Sequence, residues 1–295
     1  MAASPSWCEV SLVAERALAE RLTDLLPEHG ASAVTMTDAG DEPVMEPDPG
    51  TSPLWSAVRV TALFPADAAF ATLRAGIEAS LAPEVCPRWT VYALEERDWV
   101  REALARFTPM RFGDRLWVCP SWCEPPAGSD VIVTLDPGVA FGTGTHPSTA
   151  LCLDWLAGEP LAGARVVDYG CGSGILGIAA LALGAAAVDA VDIDVQARDA
   201  TLDNAGRNAL AGRIAVHAPP VTLGRADYVV ANILCGPLVE LSATLLALLG
   251  AGGRLALAGL TAAQIDEVAA AYCHAIDWDP PATRDGWARL SGTAR

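Results

Sequence analysis

No stretch of this sequence is both long enough and apolar enough to cross a bilayer. The longest nearly unbroken apolar run, Ile175 to Val188, has 14 residues and stops at Asp189, short of the roughly 20 that a spanning helix needs. The opening residues, MAASPSWCEVSL, carry neither a basic segment nor a long apolar one. No secretory signal is expected, therefore, and the cytoplasm is the expected compartment. Positive charge is scarce: 19 Lys and Arg stand against 36 Asp and Glu, a formal net charge of −17. Such a surface repels a phosphate backbone, which argues against a sequence-specific nucleic-acid partner; it suits a basic partner, or simply keeps the chain soluble. Paired cysteine motifs are missing as well. Eight cysteines stand mostly alone among apolar residues, and Cys119 and Cys123 form one C-x3-C with no second pair. No metal site is expected, and the cysteines read as small hydrophobes in a reducing compartment.

What is present describes a folded enzyme-sized chain. At 295 residues, 52% hydrophobic and 19% charged, it is long enough for two unequal domains and too apolar for disorder. WCEVSLVA alternates like a strand, and AERALAERLTDLLPEHG has helical spacing with Leu18, Leu22 and Leu25 on one face. ASAVTMTD is a second strand, followed by an acidic, proline-rich loop over residues 38–53. WSAVRVTALF is a strand, ADAAFATLRAGIEASL a helix and RWTVYALEE another strand. This β-α-β-β-α-β order predicts a ferredoxin-like α+β domain over residues 1–97. RDWVREALARFTPM reads as a connecting helix and DRLWVCPSW as a strand that opens the second part; residues 98–118 are expected to link the two halves. From about Asp130 the rhythm becomes strand, glycine turn, helix, repeated, which predicts a parallel sheet covered on both faces over residues 119–295.

The chemistry sits in that second half. In ARVVDYGCGSGILGIAALALG, a strand to Tyr169 and a helix from Ile175 flank Gly170, Gly172 and Gly174. Glycines at a strand-to-helix turn let a ligand approach the backbone, and the helix start offers free N–H groups. A second strand ends at Asp192, 22 residues after Gly170, a spacing at which a carboxylate accepts hydrogen bonds from ribose hydroxyls. The dinucleotide motif G-x-G-x-x-G is not met, because the third glycine falls one position early. Asp168 also precedes the turn, where it would repel a pyrophosphate but attract an ammonium group. S-adenosylmethionine has adenosine, an amino-acid tail and no phosphate, so it fits this set better than a nicotinamide cofactor. A third strand, ADYVVANILCGPL, ends at Asn232, at the strand edge where ligands of open α/β sheets bind. Asn232 is therefore expected at the transferred methyl, although an ordinary turn residue would also stand there.

Before these motifs, LDPGVAFGTGTHPSTALCLDWL holds three glycines and one histidine between apolar stretches. Pro147 suits the first turn of a helix, with Thr145 the expected N-cap. The loop FGTGT should lie against the same crevice, with Thr149 facing the cofactor. His146 suggests a general base, but a histidine beside a helix start is more often a structural hydrogen bonder.

Together LDPGVAFGTGTHPSTALCLDWL, VVDYGCGSGILGIAAL, VDIDVQARDATLDNAGRNAL and VVANILCGPL resemble the PrmA family, bacterial methyltransferases that modify ribosomal protein L11 of the large subunit. The resemblance runs from about Trp99 to the end, including RDGWARLSGTAR, which looks like the family's closing hairpin; over residues 7–95 only element order and a few positions match. It implies a seven-stranded, Rossmann-like S-adenosylmethionine-dependent methyltransferase domain preceded by a smaller ferredoxin-like domain that grips the ribosomal protein, free or on the large subunit. The cofactor contacts it implies fall on Thr149, Gly170, Asp192 and Asn232, beside Asp168, Gly172 and Gly174 from the motif itself. Asn232 is the expected catalytic residue. Two features depart from the family: the loop 38–53 looks longer than usual, and Cys235 stands where alanine is usual.

The implied reaction is methylation of a lysine ε-amine, and possibly an N-terminal α-amine, with positioning and desolvation carrying most of the work. A lysine of another protein is the nearest alternative substrate. An amide or base methyltransferase would want N-P-P-Y after the third strand, and NILCGPL departs from it. A non-catalytic cofactor-binding factor would bind without turnover.

Overall fold

Alternating apolar and polar residues build the first sheet of the computed structural model, which describes residues 6–40, 42, 55–94, 107–138 and 140–295. The chain divides into two units, Met1–Glu102 and Ala103–Arg295. In the first, β1 (Trp7–Glu15), α1 (Arg16–Glu28), β2 (Ala33–Asp38), β3 (Ala57–Pro65), α2 (Phe70–Leu81) and β4 (Thr90–Leu94) follow in that order. The sheet runs β2-β3-β1-β4, every neighbour antiparallel. Val10, Leu12, Val58, Val60 and Phe64 point to one face, because successive strand side chains alternate. There they meet Ala19, Leu22 and Leu26 of α1 and Ile77 and Leu81 of α2. The buried stripe of α1 thus runs through Ala19, Leu22 and Leu26; Leu18 and Leu25, expected at its centre, flank it and are only partly buried.

The second unit begins with a small sheet of β5 (Met110–Phe112), β6 (Leu116–Cys119) and β7 (Val131–Thr134). Strand β6 stands within DRLWVCPSW, where a strand is expected, and β5 adds a strand that the sequence reading placed in the connection. Phe112, Leu116 and Val118 are buried in the main core of this unit, so apolar content decided their place. The expected connecting helix lies almost wholly outside the described residues, as does most of the acidic loop 38–53.

Next come α3 (Pro147–Gly158), β8 (Arg165–Tyr169), α4 (Ile175–Ala182), β9 (Ala187–Val191), α5 (Val195–Arg207), β10 (Ile214–His217), β11 (Ala226–Asn232), α6 (Cys235–Glu240), α7 (Ser242–Leu248), β12 (Leu249–Thr261), α8 (Ile265–Ala271), β13 (Ile276–Trp278), β14 (Ala282–Arg284) and β15 (Trp287–Ala294). The strand order is β10-β9-β8-β11-β12-β15-β13, and β14, off this path, pairs with β15. Seven strands form the continuous path and β14 is an addition at its rim. Strands β8 to β12 run parallel, while β15 is antiparallel to β12 and β13. Apolar runs such as Val229 to Ala231 are fully buried, as parallel strands covered on both faces require. One core lies against α3 and α4, the other against α6, α7 and α8. From β8 the order steps to β9 and β10 on one side and to β11 and β12 on the other. Between β8 and β11 the topology switches, and a crevice opens beyond the carboxyl ends of those strands.

Candidate active site

Strand β8 ends in the turn Gly170–Gly174 and α4 starts at Ile175. Gly172 and Gly174 sit at φ 55° and 78°, a region closed to most side chains. A Cβ on Gly172 would stand 2.6 Å from the carbonyl oxygen of Phe141, and one on Gly174 2.8 Å from Cγ2 of Thr201. These glycines let the turn press against its neighbours, which in turn hold it. Thr201 Oγ1 donates to the Gly172 carbonyl at 3.0 Å and Asn204 Nδ2 to that of Ser173 at 2.9 Å, both from α5. Ser173 Oγ donates to the Gly142 carbonyl at 2.5 Å, tying the turn to the FGTGT loop. The Cys171 thiol is pushed up to about 12 by burial, which keeps it protonated and unreactive.

Asp168 lies fully buried behind this turn rather than in the crevice. Its Oδ2 accepts the N–H of Gly177 at 2.9 Å, and among the described residues Oδ1 meets no donor. Desolvation raises its pKa to about 7, with the Gly177 hydrogen bond pulling against it.

A cavity of about 390 Å³ opens over the turn, lined by Gly170, Gly172 and Asp192 and by apolar groups including Ile193, Pro219 and Leu234. Asp192 follows the last residue of β9. Its Oδ2 accepts the N–H of Gly172 at 2.9 Å and its Oδ1 that of Asp194 at 3.0 Å. Each oxygen keeps a second lone pair for a ligand hydroxyl.

A second cavity of about 300 Å³ adjoins the first, lined by Phe141, His146, Ser148, Asn232, Ile233, Leu234, Gly259 and Trp287. Asn232, the last residue of β11, lines both cavities. Its Nδ2 donates to Thr149 Oγ1 at 3.1 Å, and its Oδ1 is buried without a partner among the described residues. Thr149 is fully buried in α3. The N-cap of α3 is His146, not Thr145: Ser148 N–H donates to His146 Nδ1 at 3.3 Å, while the Thr145 hydroxyl is engaged with that of Thr143 at 2.8 Å. His146 packs edge-on to Trp287 with centroids 4.6 Å apart, and burial holds its pKa below the usual imidazole value. With Nδ1 accepting, the neutral ring carries its proton on Nε2.

Of the residues expected at the cofactor, Gly170, Gly172, Asp192 and Asn232 line the larger cavity. Thr149 and Asp168 are buried beside it and Gly174 caps α4. Phe141, of the FGTGT loop expected at the crevice, lines both cavities; sequence reasoning missed Trp287 and Gly259. The Asp285-Gly286 pair, at φ 49° and 80°, marks a tight hairpin in the sequence; nothing local says that this hairpin delivers Trp287 to the crevice.

Residues 6–295 match the family model described as ribosomal protein L11 methyltransferase (PrmA). A ribosomal protein L11 methyltransferase of Ectopseudomonas mendocina (strain ymp) is 50% identical over 291 residues, 98% of this chain and 99% of the relative. One from Pseudomonas putida (strain GB-1) is 50% identical over 295 residues, with the same coverage. Among solved structures, a ribosomal protein L11 methylase from Lactobacillus delbrueckii subsp. bulgaricus superposes with a TM-score of 0.58 at 29% identity, over 64% of this chain and 100% of that one.

Proposed function

The chain belongs to the ribosomal protein L11 methyltransferase (PrmA) family, and on that premise we propose how its crevice works. It is an S-adenosylmethionine-dependent methyltransferase whose substrate is ribosomal protein L11. When bound, the cofactor supplies a methyl group on a sulfonium, whose leaving group is a neutral thioether. The larger cavity suits it in size and chemistry: apolar walls at Ile193, Pro219 and Leu234 for the adenine, and the Asp192 carboxylate for the ribose hydroxyls. The backbone of Gly170 and Gly172 allows close approach. Asp168 holds the turn from behind.

The smaller cavity receives the target amine, a lysine ε-amine or an α-amine of L11. A free lysine has a pKa of about 10.4 and an α-amine about 7.7–8.0, so the nucleophile must first lose a proton. Walls of Phe141, Leu234 and Trp287 solvate an ammonium poorly and favour the neutral amine. The Asn232 Oδ1 accepts one amine N–H and turns the nitrogen lone pair toward the methyl. His146 does not serve as base, because its Nδ1 caps α3 and its Nε2 holds the proton; the amine proton leaves to solvent. We read the first unit as a ferredoxin-like domain that grips L11, with the acidity of the chain suiting a basic ribosomal protein rather than a nucleic acid. Among the described residues no helix is long and apolar enough to cross a membrane.

The buried Oδ1 of Asn232, unpartnered among the described residues and lying where both cavities meet, carries this reading. Asn232→Ala is expected to lower single-turnover methylation about 10²-fold, the scale of removing one preorganised polar group at a reacting centre, while cofactor affinity changes much less. The measurement is label transfer to L11 at saturating cofactor. A near-normal rate through every methylation state removes Asn232 from the chemistry.

A further inference from the structure

Asp192 can hold a ribose only if its carboxylate keeps its direction, and the stretch that carries it has little burial of its own. Asp192, Ile193 and Asp194 stand between the last residue of β9 and the first of α5. Ile193 is 84% exposed, and Asp194 is exposed as well. The bonds from Asp192 Oδ1 to the Asp194 N–H and from Asp194 Oδ1 to the Gln196 N–H are local and would move with the stretch. Its backbone is anchored from two neighbours. From β10, the His217 carbonyl accepts the Asp192 N–H at 3.1 Å. From α5, Nη1 of the half-buried Arg198 donates to the carbonyl oxygen of Asp192 at 2.8 Å and to that of Ile193 at 2.9 Å. That nitrogen carries two hydrogens, one for each carbonyl, and the guanidinium is charged at any working pH.

We infer that Arg198 is a positioning residue for the cofactor: by binding these two carbonyls it fixes the peptide from which the Asp192 side chain springs, and so the direction in which the carboxylate meets the ribose hydroxyls. This rests on the reading of Asp192 given above. Arg198 lines neither cavity, and its influence passes through the backbone of two residues. Hydrogen bonds weaken steeply as their angle changes, whereas apolar contact has no direction. A small shift of this stretch should therefore be felt at the ribose rather than at the adenine wall.

The test uses the full-length enzyme and two ligands, S-adenosylhomocysteine and its analogue whose ribose lacks both hydroxyls, titrated by calorimetry. Arg198→Met keeps the apolar stem and removes the donors. It is expected to weaken S-adenosylhomocysteine binding about five- to tenfold, the scale of one net hydrogen bond, and to leave the analogue within about twofold of wild type. In the pair Arg198→Met with Asp192→Ala, affinity should equal that of Asp192→Ala alone, since the arginine acts through the carboxylate. In turnover on L11, the KM for S-adenosylmethionine should rise by the same factor while kcat holds within about twofold. Arg198→Ala should repeat the split between ligands, with melting temperature recorded for each variant. An equal loss for both ligands, or losses that multiply in the pair, overturn the positioning role while the wild-type preference for the hydroxyls stands. Should the wild type bind both ligands alike, Asp192 does not hold the ribose, and the reading of Asp192 falls together with the role of Arg198.

Discussion

A single buried carboxyl shows how residue chemistry reaches the whole turn. Asp168 gives one oxygen to Gly177 and leaves the other without a donor, so ionising it places charge in a site with half the needed hydrogen bonds. Its pKa rises from 3.8 to about 7 on burial. A carboxyl raised in this way stabilises the fold only while protonated. That contribution is complete below about pH 3.8, falls as pH rises, and is gone above about pH 7. Asp168→Asn keeps an oxygen for Gly177 and cannot ionise. The wild-type melting temperature should therefore fall more steeply than that of Asp168→Asn between pH 5 and pH 8, as followed by circular dichroism. Parallel curves mean that Asp168 stays ionised throughout. Asp168 stood out in the sequence because it precedes the glycine turn, Asp192 and Asn232 because they stand at strand ends; that Asp168 is sealed away while Asp192 and Asn232 line the crevice depends on neighbours, and no spacing reveals it.

Elements matter here chiefly through their ends. The glycine turn joins β8 to α4, and its carbonyls are bound from α5 by Thr201 and Asn204. Gly172→Ala must both hold φ 55° and push the Phe141 carbonyl away. The first effect alone is about 1–2 kcal/mol, and the displaced loop adds to it. The variant should unfold at lower denaturant and bind cofactor more weakly than wild type, as titration and calorimetry would measure. A stable variant with unchanged affinity means that the turn tolerates a shift and does not shape the cavity. The pattern of apolar strand, glycines and helix made this element legible, whereas β15 brings Trp287 to the site only by pairing with β12.

At the scale of the molecule, each unit has a core of its own, one under α1 and α2 and others on the two faces of the large sheet. Every residue placed in the crevice belongs to the second unit. A fragment of residues 103–295 should therefore fold and bind S-adenosylmethionine with near-native affinity, yet methylate intact L11 far more slowly than the full chain. Calorimetry and label transfer on the same preparations check both halves of this statement. Equal turnover by the fragment removes the docking role from residues 1–102.

The order of elements in both units follows from the sequence, because side-chain alternation and helical spacing are local properties of the chain. So does the cofactor class: three glycines, Asp192 and Asn232 stand at fixed distances within one strand-turn-helix pattern. Local pattern failed where burial is decided at long range. Residues 110–112 read as part of a connection but form the strand β5, since Phe112 finds its apolar partners in α3 and β6. His146 displaced Thr145 as the cap, since its ring rests against Trp287, 141 positions away. The link from Thr149 to Asn232 spans 83 residues. A hydrogen bond between side chains that far apart exists only once the sheet has brought their elements together, and only the tertiary structure decided it.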